Sequence, residues 1–191
     1  DTLVGIETIQ FKDQWMSLVA PIILDLDGGG VQTRSASQSN AKFDMDGDGL
    51  ADDTTWIGSA EGFLWLDRNG DGKLNGIGEM SFTGDVPGAA TDLAGLRAFD
   101  SNNDGKLSSA DTRFADFRVW RDSDGDGAVD TGEILTLTSI NLASINLTGT
   151  ATNNNVQVGE VAVVNTGTWT RANGTTMALA DATMTFFSAA A

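Results

Sequence analysis

The chain has 191 residues, with 27 acids against 11 bases, a net charge of −16, and neither Cys nor His. That composition excludes disulfides, thiolate zinc sites and imidazole catalysis, and the charge argues against nucleic acid or an anionic membrane as partner. Of the acids, 22 are Asp, a poor helix former and a good cation ligand, and sites built only from oxygen suit the hard ions Ca²⁺ and Mg²⁺.

No stretch of 18 apolar residues occurs, so no membrane-spanning helix is predicted. No secretory leader is visible in residues 1–20. Phe11, Trp15 and Leu18 are spaced to form one face of an N-terminal helix. Next comes Ala20-Pro21, then the apolar run IILDLD.

Five segments share one spacing: DLDGGGVQT from Asp25, DMDGDGLAD from Asp44, DRNGDGKLN from Asp67, DSNNDGKLS from Asp100 and DSDGDGAVD from Asp122. Oxygen side chains stand at positions 1 and 3, and Gly at position 6. This is the register of a calcium loop. Positions 1, 3 and 5 wrap the ion, Gly permits the turn, and position 7 offers its carbonyl. Position 9 gives an oxygen, and position 12 closes with a carboxylate.

The Asp122 loop fits throughout, with Asp122, Asp124, Asp126, the Ala128 carbonyl, Asp130 and Glu133. The Asp100 loop offers Asp100, Asn102, Asp104, the Lys106 carbonyl, Ser108 and the shorter Asp111 at position 12. The Asp67 loop offers Asp67, Asn69, Asp71, the Lys73 carbonyl and Asn75, and a loop one residue longer brings in Glu79. The Asp44 loop offers Asp44, Asp46, Asp48, the Leu50 carbonyl and Asp52, but Thr55 stands at position 12. The first loop has Gly29 at position 5 and Ala36 at position 12, so it cannot close alone. Asp25 and Asp27 alternate onto one face of an extended strand, and we expect them to complete a neighbouring site, that of Asp44. About four Ca²⁺ ions are expected.

Between the loops, WIGSAEGFLWL at 56–66 has no clear period. TDLAGLRAF, with Leu93, Leu96 and Phe99 in phase and Thr91 or Asp92 as cap, predicts a helix. Phe114, Phe117 and Trp120 predict a second, and ILTLTSI a third, so residues 91–140 read as a paired EF-hand. From Ile145 the chain is Thr- and Val-rich. Asn173-Gly174 signals a hairpin, residues 145–191 predict a small antiparallel sheet, and Asn153–Asn155 a loop tip. The expected class is α+β: EF-hand-like calcium loops with short helices and a C-terminal sheet.

Taken in order, PIILDLDGGGVQT, FDMDGDGLADDTTW, EGFLWLDRNGDGKLNGIGE, LRAFDSNNDGKLSSADTRF, FRVWRDSDGDGAVDTGEI and GTWTRANGTT resemble the FrpC-like self-processing module of RTX proteins. The resemblance implies type I secretion from a Gram-negative bacterium to the exterior or cell surface. It also implies folding on extracellular Ca²⁺, cleavage of an Asp-Pro bond at the module's N-terminal edge, and transfer of the new Asp end to a lysine amine of an acceptor protein. It divides the chain into a flanking segment, 1–20, and a module, 21–191. The matching position holds Ala20-Pro21, and the other proline follows Val86, so no Asp-Pro bond exists. Either an Asp at 20 has been replaced, or this member binds calcium without cutting. As written the chain is expected to be inactive and monomeric.

Overall fold

The computed structural model describes residues 8–11, 14–152, 157 and 159–188. Its strands are β1 Thr8–Phe11, β2 Gln14–Val19, β3 Ile22–Asp25, β4 Thr33–Arg34, β5 Lys42–Phe43, β6 Asp52–Thr54, β7 Trp56–Ile57 and β8 Glu61–Leu66. They continue with β9 Lys106–Ser108, β10 Phe117–Trp120, β11 Ile134–Thr136, β12 Leu142–Asn146, β13 Thr150–Ala151, β14 Ala162–Arg171 and β15 Thr176–Phe187. The main sheet runs β11-β10-β8-β3-β15-β14-β12-β9, with every pairing antiparallel.

The central strands are apolar on both sides. In β3, Ile22 and Leu24 enter one core with Leu64, Phe117, Val119, Trp169 and Leu179. Ile23 enters a second core with Trp56, Phe63, Trp65, Trp120 and Phe186. Each such side chain removed from water contributes about 1.5–3 kcal/mol, and a strand buried on both faces reads as a continuous apolar run. That explains why WIGSAEGFLWL showed no period. It is β7, a turn, and β8, whose six residues are all buried.

The molecule is mostly β, which overturns the expected α+β class with EF-hand helices. The α-helix among the described residues is α1, Asp92–Gly95, capped by Thr91, whose side chain accepts the Ala94 N–H. A 3₁₀ turn continues it over Leu96–Phe99. The predicted second helix is instead a 3₁₀ turn at Phe114–Asp116 followed by β10, and the third is β11 and turns. Segments this short carry too few turns to repay helix nucleation, whereas β8 offers β10 a ready ladder, Phe117↔Leu66 through Trp120↔Phe63. The predicted N-terminal helix is the β1–β2 hairpin. The loop tip expected at 153–155 lies outside the described residues.

Strands β14 and β15 turn at Asn173-Gly174, but they are not a separate tail. β15 is the hub of the molecule: one edge holds β14, and the other holds β3 and β2. The pairings Met184↔Val19 and Asp181↔Ile22 lie on one continuous register. Ala20-Pro21 therefore sits opposite Thr183 and Ala182, at the break between β2 and β3. The Ala182 N–H donates to the Pro21 carbonyl at 3.0 Å. Pro21 has no N–H to return, so the ladder is interrupted there.

Candidate calcium centres

The five loops share one wiring. In each, the first Asp receives at least two backbone N–H bonds from within the turn, and Asp25 and Asp44 receive a third, from Asp27 and Asp48. Gly28 and Gly30 donate to Asp25 at 2.7 and 2.9 Å, and Gly47 and Gly49 donate to Asp44 at 2.7 and 2.9 Å. Gly70 and Gly72 donate to Asp67 at 2.8 and 3.0 Å. Asp104 and Gly105 donate to Asp100 at 3.1 and 2.9 Å, and Gly125 and Gly127 to Asp122 at 2.7 and 2.9 Å. Positions 3 and 5 bind the chain locally. Asp27, Asp46, Asn69 and Asn102 each accept the N–H two residues on, as do Asp48, Asp71, Asp104 and Asp126.

The closing acid of four loops is identified by a second pattern: it accepts the N–H of position 2. Glu133 takes Ser123 at 2.7 Å and Asp130 at 3.2 Å. Asp111 takes Ser101 and Ser108, both at 2.8 Å. Glu79 takes Arg68 and Asn75, both at 2.9 Å, so the loop one residue longer reaches its acid. In the Asp44 loop the acid is Asp52, at position 9, which takes the Met45 N–H at 3.0 Å and is fully buried.

Among the described residues, acidic oxygens converge within 4.8 Å in four groups: Asp25, Asp27 and Glu61; Asp44, Asp46 and Asp48; Asp122, Asp124 and Glu133; and Asp124, Asp126 and Asp130. The expectation that Asp25 and Asp27 complete the Asp44 site is corrected. They meet Glu61 from β8, the cross-strand partner of Asp25. The carbonyls of Leu50, Lys73, Lys106 and Ala128 follow their loop aspartates at position 7. Among the described residues the loops are flanked by strands, 3₁₀ turns and the four-residue α1, and no pair of full helices brackets any of them, so the EF-hand pair predicted over 91–140 is not formed, although the loop register within it is.

The model of the SPM domain family matches residues 22–185. The chain belongs to the SPM domain family. The iron-regulated protein FrpA of Neisseria meningitidis serogroup C is 33% identical to this SPM domain over 166 residues, 84% of the chain. The chain spans 15% of that relative's length. No helix among the described residues of this SPM domain is long and apolar enough to cross a membrane.

Burial and local donors set the charges of the SPM loops. Burial pushes the Asp25 carboxyl up, but N–H bonds from Gly28, Gly30 and Asp27 outweigh it and leave its pKa below the usual value. For Glu133, donors at Ser123, Asp130 and Trp120 likewise outweigh burial, and its pKa is lowered. Asp122 goes the other way, raised by burial despite Gly127, Gly125 and Trp56. Glu61 is pushed up to about 7, by burial first and then by the charges of Asp25 and Asp27.

Sequence reasoning missed three features of the SPM domain. Glu61 is the lone acid in an apolar stretch, which was its signal. Trp56 donates its indole N–H to Asp122 at 2.7 Å, and Trp120 donates to Glu133 at 3.2 Å, wiring one loop to the aromatic core. Nothing in the sequence announced those pairs. Asp92 and Asp181, both fully buried, face each other from α1 and β15. Isolated acids far apart in sequence give no signal of meeting.

Proposed function

We propose that this chain is a calcium-dependent self-processing module whose cleavage position is the Ala20–Pro21 bond, silent here because residue 20 has no carboxylate. One observation carries the reading. The bond falls at the break in a ladder whose halves, β2 and β3, keep a single register on β15, one residue ahead of the start of the family match at Ile22. The loops of Asp44, Asp67, Asp100 and Asp122 would take about four Ca²⁺ ions. Their donor sets are all oxygen, and each loop keeps a closing acid in place, which supports hard-cation binding.

With Asp at position 20, the carboxylate attacks its own main-chain carbonyl carbon. The bond to Pro21 breaks, and the proline nitrogen leaves with a proton. The remaining end closes as a five-membered cyclic anhydride, which water opens to Asp or a lysine amine opens to a new amide. A nucleophile in the same residue supplies proximity. The sheet supplies orientation, since Val19 and Ile22 on either side are paired to β15. Likeness to the iron-regulated protein FrpA supports a parent of RTX type, exported by a type I system into calcium-rich surroundings.

The test is Ala20→Asp with millimolar CaCl₂, read by gel. The expected result is separation into residues 1–20 and 21–191 with calcium, and an intact chain with EGTA. A variant intact after a day in calcium overturns the reading. The residue at 20 itself favours a second reading, a calcium-stiffened structural module that never cuts, and that same result would leave it standing.

A further inference from the structure

Asp25 and Glu61 stand directly opposite each other on β3 and β8. Like charges in that relation destabilise a sheet, and both are buried, at 2% and 1% exposure. Asp27 adds a third carboxylate, and one oxygen from each of the three lies within 4.8 Å of the others. Among the described residues, no ion pair formed by a Lys or Arg involves any of them. Glu61 Oε1 accepts the Gln32 N–H at 3.3 Å, whereas Oε2 is buried and has no hydrogen-bond partner among the described residues. A buried carboxylate oxygen left without a donor costs free energy that a cation would offset.

We propose that Asp25, Asp27 and Glu61 hold a divalent cation of the hard, oxygen-preferring class, a fifth site beyond the four loops. It differs from them in kind. Each of the four takes its closing acid from the same loop or the residues just after it, whereas this one takes Glu61 from a different strand. The bound ion would therefore pin the C-terminal end of β3 to the start of β8, two neighbouring strands of the central sheet. It also explains why the first loop tolerates Gly29 at position 5 and Ala36 at position 12. The missing donor arrives across the ladder. A surface cavity of about 380 Å³ lined by Asp27, Gly29, Gln32, Ser59 and Glu61 gives water and ion a way in.

The site stands on geometry alone, independently of any cleavage activity. The experiment is a CaCl₂ titration of the ¹⁵N-labelled chain, following the Gly28 and Gly30 amides, which donate to Asp25, and the Gly125 and Gly127 amides of the Asp122 loop. In the parent chain all four are expected to move. In Glu61→Gln, the first pair should need at least tenfold more calcium while the second pair titrates as before. If Glu61→Gln lacks a dispersed spectrum, Asp27→Asn is read in the same way, since Asp27 is exposed and its loss leaves the core untouched. Gly28 and Gly30 amides that stay still in millimolar calcium, or that titrate alike in parent and variant, overturn the proposal. Movement of Gly125 and Gly127 alone would leave the four-loop reading intact.

Discussion

A Cβ on Gly127 would lie 2.6 Å from both the nitrogen and the oxygen of Lys42, while one on Gly72 meets nothing within 4 Å. Both glycines hold position 6 of their loops with φ of 81° and 74°, so either Ala substitution carries the left-handed penalty of about 1–2 kcal/mol. Only Gly127→Ala must also push backbone apart, and the Lys42 N–H donates to the Asp126 carbonyl at that spot. Gly72→Ala is expected to lose about 1 kcal/mol in urea unfolding of the calcium-loaded protein, and Gly127→Ala at least twice that. Equal losses would mean that the contact with Lys42 carries no weight.

At the scale of elements, α1 meets β15 through two acids. Asp92 Oδ1 accepts the Phe82 and Thr83 N–H groups, both at 2.8 Å, and Asp181 Oδ2 accepts the Leu93 N–H at 2.7 Å. Among the described residues, no hydrogen-bond donor reaches their other, buried oxygens, Asp92 Oδ2 and Asp181 Oδ1. Burial first, then the charge of Asp181, pushes Asp92 up to about 7, and burial raises Asp181 as well. A raised carboxyl stabilises the fold fully below its unfolded value of 3.8, and that contribution is lost as pH climbs towards about 7. Asp92→Asn mimics the protonated acid. Its stability should therefore fall less than the parent's between pH 5 and 8, by a few kcal/mol on the scale of 1.36 per pKa unit. Urea midpoints at saturating calcium across that range would measure it, and parallel pH profiles would refute it. The contrast with the loops shows what was readable. The loop register is local chemistry, so positions 1, 3, 5 and 6 and the acids Glu79, Asp111 and Glu133 could be read directly. The Leu93, Leu96 and Phe99 spacing also marked a real helical turn, with Thr91 as its cap. The Phe114, Phe117 and Trp120 spacing misled because a strand buried on both faces satisfies the same apolar positions. What decided it was a partner, β8, some fifty residues earlier in the chain. Glu61 stood out as the lone acid of an apolar stretch, but its partners were hidden for the same reason, since they are set by strand pairing.

For the whole molecule the balance is electrostatic. The net charge is −16, and the acids are concentrated in turns that bring their oxygens together. The apolar cores are well buried, but a domain retains only about 5–15 kcal/mol after its entropy cost. Each site filled at a hundred times its dissociation constant adds about 2.7 kcal/mol. On the proposed reading, four such sites would add on the order of 10 kcal/mol, comparable with the entire margin. Removing calcium should therefore unfold the chain or leave it marginal, while near-UV circular dichroism should show fixed tryptophans on re-addition, because Trp56 and Trp120 bond to acids of the Asp122 loop. Salt separates the causes. If diffuse repulsion dominates, molar NaCl in EGTA should restore most of the lost melting temperature by screening. Because the carboxylate oxygens converge at a few ångströms, where screening acts weakly, salt should restore a minor part and calcium the remainder. A chain that melts at the same temperature in EGTA as in calcium would show that the aspartate turns bear no load in folding.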